Sequence, residues 1–145
     1  MSTNHTDLRK LHIIQLDDHK LFLAGMRTAI LSLYPNAIIE DFSTTEKALN
    51  RIKELLHFSK QPDLIITDFN HPGGNGLEFA HEVKSLAGKL GVKVPVVMVA
   101  MVERCTAIPQ GLENSPLDGF FNKNVTADNI LDFISSLLPR NLMIK

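Results

Sequence analysis

The chain has 145 residues, 44% hydrophobic and 21% charged, which suits one soluble globular domain with a filled core and excludes a chain kept disordered by its charge. A formal net charge of −1 with scattered Lys and Arg leaves no basic stripe for a phosphate backbone, so no direct nucleic-acid partner is expected. The lone Cys105 excludes an internal disulfide and any CxxC site; with a polar start at Met1–Lys10 and no apolar run of spanning length, the expected setting is a reducing cytoplasm without a membrane partner.

Short apolar runs alternate with segments whose apolar residues recur at helical spacing, which predicts βα units around a parallel sheet. Strands are expected at His12–Leu16, Ala37–Asp41, Asp63–Thr67, Val94–Val99 and Gly119–Asn122, several apolar throughout as strands covered on both faces are. After the first strand, Phe22, Met26, Ala29, Ile30 and Leu33 predict one buried helix face, ending before Pro35. Ser43-Thr44-Thr45-Glu46 has the form of a capping box and opens a second helix burying Ala48, Leu49, Ile52, Leu55 and Leu56. A third, Asn75–Leu86, turns Phe79, Ala80, Val83 and Leu86 inward. Pro109 and Gly111 oppose a regular fourth helix, which is expected to be short, displaced or irregular. The last helix follows Thr126 as N-cap, presents Ile130, Ile134, Leu137 and Leu138, and stops at Pro139. Residues 1–11 are expected to form a flexible N-terminal segment, 12–138 the domain and 139–145 a tail.

In an open parallel sheet the residues just past the strand ends gather on one edge, where such folds bind ligands. Here that edge collects Asp17 and Asp18 after the first strand, Asp68 after the third, Ala100 at the end of the fourth and Lys123 after the fifth. Three carboxylates this close repel one another unless a cation sits among them, and oxygen-only ligands favour Mg²⁺ over zinc. Beside such an ion Asp68 has the chemistry of a carboxylate nucleophile toward phosphorus, with Lys123 pairing a phosphoryl oxygen, or Asp68 itself at rest. Taken singly, an Asp pair is commonly a solvated turn, Lys123 a surface lysine and Phe120 core packing; their combination is what points to a site. His19 and His71 lie near the same edge but lack an HxxxH or cysteine partner and read as loop histidines. The Pro72–Gly76 loop lacks the Lys-Ser or Lys-Thr of a phosphate-binding Walker loop.

Four motifs in order, Leu16-Asp17-Asp18-His19-Lys20-Leu21-Phe22, Pro62 to Gly76 around Asp68, Pro95-Val96-Val97-Met98-Val99 and Asp118-Gly119-Phe120-Phe121-Asn122-Lys123, together resemble the receiver domains of two-component response regulators, over about His12 to Leu138. The resemblance implies a flavodoxin-like, doubly wound, five-stranded parallel sheet of order 2-1-3-4-5 with five helices. It implies Asp68 as phosphoacceptor, Asp17 and Asp18 holding Mg²⁺ directly or through water, the main-chain carbonyl of Asn70 completing the metal site, and Phe120 as an aromatic that changes rotamer on activation. The donor it implies is a phosphohistidine on a sensor histidine kinase or phosphotransfer protein. The output is a contact with a downstream protein, and a homodimer stays open.

Two positions depart from that pattern. Ala100 stands where most receivers carry a Thr or Ser whose hydroxyl bonds the phosphoryl group, so the coupling of phosphorylation to conformation, rather than the acceptor chemistry, is weakened. Asn124 replaces the usual proline after the lysine, and the broken fourth helix lies in the face many receivers use for partners. Two rival readings follow. One is a degenerate receiver that binds protein without phosphorylation. The other is an aspartyl phosphohydrolase, opposed by Asn70 at the position where such enzymes carry a second carboxylate, so no enzymatic turnover is expected.

Overall fold

The computed structural model describes residues 10–71, 74–100, 115–123 and 127–137. The strands are β1 (His12–Leu16), β2 (Ile38–Phe42), β3 (Leu64–Thr67), β4 (Asn70–His71), β5 (Gly74–Asn75), β6 (Val96–Ala100) and β7 (Gly119–Asn122). The helices are α1 (Lys20–Leu33), α2 (Thr45–His57), α3 (Gly76–Lys89) and α4 (Ala127–Leu137). Five strands form one sheet in the order β2-β1-β3-β6-β7, every neighbouring pair parallel.

This is the expected flavodoxin-like α/β architecture, with two differences in detail. A small antiparallel ladder, β4 with β5, pairs Asn70 with Asn75 directly after the third strand. The sequence predicts no strand there, and the ladder shifts the last two sheet strands to sixth and seventh in the chain, so the expected order 2-1-3-4-5 becomes 2-1-3-6-7. Four helices rather than five stand among the described residues. The expected irregular fourth helix, with Pro109 and Gly111, lies outside the described residues, as do Cys105, Thr126, Leu138 and Pro139.

Alternation along each strand feeds two cores. Ile14, Leu16, Ile65, Val96 and Met98 pack on α2 and α3 through Leu49, Ile52, Phe79 and Val83. Ile13, Leu64, Ile66, Val97 and Val99 pack on the other face against Met26 and Ile30 of α1 and Ile130 and Ile134 of α4. With both faces covered, these strands have no polar side to show, which is why they read as continuous apolar runs. Gln15 breaks the run: it is fully buried, its Nε2 donates to Asp41 Oδ1 at 2.9 Å, and its Oε1 has no partner among the described residues.

The helix faces required two corrections. In α1 the buried residues are Leu23, Met26 and Ile30, whereas Leu33 is 42% exposed. Leu33 sits in the last turn on the solvent side of that face, while Tyr34, the next residue, is buried in the same core as Met26 and Ile30. The α2 cap is Thr44 rather than Ser43, its hydroxyl accepting from the Lys47 N–H, so the reciprocal Ser43–Glu46 box is not made. The five apolar residues expected on the inner face of α2 are all buried. In α3, Phe79, Ala80 and Val83 are buried as expected, Ala87 joins them, and Leu86 is half-buried against the same core.

Candidate functional site

Each of the key side chains is placed by a main-chain hydrogen bond that extends the ladder one residue past its strand. Asp17 N–H donates to Phe42 O at 3.0 Å, Asp68 N–H to Leu16 O at 2.9 Å and Lys123 N–H to Ala100 O at 2.9 Å. Asp17, Asp68 and Lys123 therefore leave the same edge of the sheet from β1, β3 and β7. Asp17 is turned further by an Asx-type bond, its Oδ1 accepting from the His19 N–H at 2.9 Å as α1 begins. Asp68 Oδ1 accepts from the Phe69 N–H at 2.7 Å, which leaves its second oxygen facing inward.

Lys123 Nζ lies 3.0 Å from Asp17 Oδ2 and 3.6 Å from Asp68 Oδ2, with side-chain exposures of only 11%, 2% and 13% for the lysine and the two carboxylates. Carboxylate oxygens of Asp17, Asp18 and Asp68 all fall within 4.8 Å of one another, the one group among the described residues whose spacing could hold a metal ion. Asp18 is the exposed member and opens the cluster to solvent. His19 is not part of it, and the side chain of His71 lies outside the described residues.

The electrostatics are those of a site short of positive charge. Burial pushes the Asp68 carboxyl up from the ordinary 3.8 to about 6; the charge of Asp17 adds to this, while Lys123 and the Phe69 N–H oppose it. One ammonium facing two shielded carboxylates does not balance them. Asp17 Oδ2 shows the same shortage, because it is buried and carries no aligned hydrogen bond even though Lys123 stands at ion-pair distance. An unsatisfied buried carboxylate oxygen beside two more carboxylates fits a cation, and an all-oxygen donor set selects a hard divalent one.

The remaining predicted residues are close by with different standing. Ala100, 1% exposed, ends β6 and offers no hydroxyl. Phe120, in register with Met98, is half-buried against the core beneath the edge. Asn70 follows Asp68 by two residues on β4, whose pairing with β5 ties the loop after the acceptor strand.

Sequence reasoning missed two residues. Gly76 opens α3 so close to β3 that a Cβ there would stand 2.2 Å from Asp68 O and 2.7 Å from Met98 Cε. Its N–H donates to Phe69 O at 2.6 Å. Only glycine lets the helix start against the backbone that carries Asp68, and a glycine three residues after a Pro-Gly pair in a loop gives no local sign of this. Phe22 was assigned to the core alone, yet its ring faces Lys123 Nζ at 4.9 Å from the centroid.

Residues 13–135 match the family model described as the response regulator receiver domain. The chain is 29% identical over 124 residues to the nitrate/nitrite response regulator protein NarL of Escherichia coli K12, an alignment covering 82% of this chain and 50% of that protein. It thus spans about half the length of the curated relative it matches. Among solved structures it resembles a response regulator receiver domain protein from Clostridium thermocellum, with a TM-score of 0.71, 16% identity and coverage of 88% of this chain and 93% of that one. It also resembles a CheY-like receiver domain protein from Methanospirillum hungatei JF-1, with a TM-score of 0.68, 18% identity and coverage of 88% and 93%. At these identities the structures speak for the fold.

Proposed function

The chain belongs to the response regulator receiver domain family, and from that premise we propose that it accepts a phosphoryl group on Asp68 beside Mg²⁺ and passes the signal on by protein–protein contact. The observation that carries this reading is the convergence of Asp17, Asp68 and Lys123 from three strand ends with an under-neutralised pocket of carboxylate oxygens between them. Mg²⁺, when bound, neutralises the carboxylates and the incoming phosphoryl oxygens. Asp17, Asp18 and Asp68 would hold it, with the main-chain carbonyl of Asn70 as the fourth protein donor.

The chain's own residues do the rest. Asp68, with its carboxyl at about 6, is about nine-tenths ionised at pH 7 and so available as a nucleophile. One of its oxygens bonds to phosphorus as the bond from phosphorus to the donor's imidazole nitrogen breaks, and that nitrogen keeps the electron pair. Lys123, already 3.6 Å from Asp68 Oδ2, moves its charge onto a phosphoryl oxygen. The donor class is a sensor histidine kinase or phosphotransfer protein, the output a downstream protein, the setting the cytoplasm, and the role signalling rather than turnover of phosphate esters.

Ala100 favours a second reading, a receiver that docks without phosphorylation, because it removes a hydroxyl contact of roughly 1.5–3 kcal/mol to the phosphoryl group. Phe120 would then stay in its half-buried rotamer in both states. Incubation with Mg²⁺ and acetyl phosphate followed by intact-mass measurement separates the two. We expect a phosphate-sized mass gain in wild type that is absent in Asp68→Asn. No gain in wild type at saturating Mg²⁺ would overturn phosphorylation and leave the docking module.

A further inference from the structure

Lys123 reaches its two carboxylates along a long, flexible stem, and nothing in such a stem fixes where the ammonium stands. The structure supplies a third wall. Phe22, in the first turn of α1, places its ring under Nζ at 4.9 Å from the centroid, beside the two carboxylates at 3.0 and 3.6 Å. The ammonium is thus held between Asp17 from β1, Asp68 from β3 and an aromatic face from α1 while only 11% exposed. An aromatic face attracts a cation through its quadrupole without accepting a proton or competing as a metal ligand.

We propose that Phe22 is a positioning residue for phosphoryl transfer, acting through Lys123: its ring keeps the ammonium poised at the acceptor when a cation takes over Asp17. In the resting state Asp17 Oδ2 is the nearest anion to Nζ, closer than Asp68 by 3.0 Å against 3.6 Å. A divalent ion on Asp17 removes that anchor and repels the lysine. Without another attraction the freed side chain swings to solvent, and the incoming phosphoryl group must pay to recapture it. The Phe22 ring is an attraction that the metal does not cancel; α1 is anchored in the core by Leu23, Met26 and Ile30, and the ring itself packs half-buried against that core.

This inference rests on the reading of Asp68 as phosphoacceptor, and the test separates the two. In the full chain, with folding checked by far-UV circular dichroism, Phe22→Leu removes the quadrupole while keeping an apolar side chain, and Phe22→Tyr keeps the ring. The acetyl phosphate rate constant at saturating Mg²⁺ is expected to fall about two- to fivefold in Phe22→Leu, the range of a partly shielded cation–π contact, and to stay within about twofold of wild type in Phe22→Tyr. In a Lys123→Met background Phe22→Leu should cost nothing further, and Mg²⁺ affinity by calorimetry should not weaken. Additive losses in the double variant, or weaker Mg²⁺ binding in step with the rate, would mean a packing role and overturn the proposal. An independent signal comes from the lysine ε-methylene resonance that vanishes in Lys123→Met: it should be ring-current shifted in wild type and Phe22→Tyr and rejoin the other lysines in Phe22→Leu. A wild type that takes no phosphate sinks the role of Asp68 and with it any role of Phe22 in transfer, whereas the claim that the ring holds the Lys123 ammonium then falls if that resonance is unshifted and stands if it moves as stated.

Discussion

Removing the carboxylate proposed to accept phosphate should make the metal-free protein more stable, not less. In the folded state Asp68 titrates at about 6 against 3.8 for an unperturbed group, a difference worth about 3 kcal/mol between its two protonation states. Because 13% of the side chain stays open to water, screening reduces this to about 1–2 kcal/mol. The sign follows from proton counting. Between about pH 4 and 6 the unfolded chain has released this proton while the folded chain still holds it, so rising pH favours unfolding, and above pH 6 the whole penalty is present. We predict that Asp68→Asn raises stability by about 1–2 kcal/mol at pH 7.5 in EDTA and by little at pH 4. Mg²⁺ should offset that lead at about ten times its dissociation constant, where it stabilises wild type by about 1.4 kcal/mol, and reverse the ranking at about a hundred times, where the gain is about 2.7 kcal/mol and that of the asparagine variant far smaller. Urea titrations followed by far-UV circular dichroism at the two pH values, with and without Mg²⁺, measure this directly; the chain has no Trp to report by fluorescence. An Asp68→Asn protein less stable than wild type in EDTA at pH 7.5 would refute the picture of a carboxylate pocket lacking positive charge.

Two further substitutions test how the scaffold holds that pocket. Helices α2 and α3 end in the same Schellman pattern, Lys60 N–H to Leu55 O at 2.8 Å and Val92 N–H to Ala87 O at 3.0 Å, but the left-handed residue is Ser59 (φ 60) in one and Gly91 (φ 70) in the other. Ser59→Gly should therefore raise the urea midpoint by the equivalent of about 1 kcal/mol, and an unchanged or lower midpoint would contradict the strain argument. Gly76→Ala drives a methyl into Asp68 O and Met98 Cε, so it should cost about 1–3 kcal/mol and slow acetyl phosphate labelling as well; wild-type values for both would show that α3 yields without moving the acceptor loop.

Much of this molecule was legible before any coordinates. Apolar runs such as Leu64-Ile65-Ile66 could only be strands buried on both faces, and their alternation with helical repeats left a parallel sheet with its functional edge at the strand ends. Asp17, Asp68 and Lys123 are nameable because each directly follows a strand legible in the sequence, ending at Leu16, Thr67 and Asn122, and the fold brings such residues to one edge. Local pattern was less able to set phase and distance. It puts Leu33 inside, although the buried face of α1 runs through Met26 and Ile30 to Tyr34 and leaves Leu33 to solvent, and it puts the α2 cap at Ser43 where the chain turns at Thr44. Whether a carboxylate keeps its proton depends on how much water and how many charges surround it, and whether a ring touches an ammonium depends on two elements a hundred residues apart in the chain. Residue type and order thus determined which groups share the edge. Only packing decided how dry that edge is, that Gly76 must be bare for α3 to approach Asp68, and that Phe22 faces Lys123, because these are properties of distances between segments that no single segment encodes.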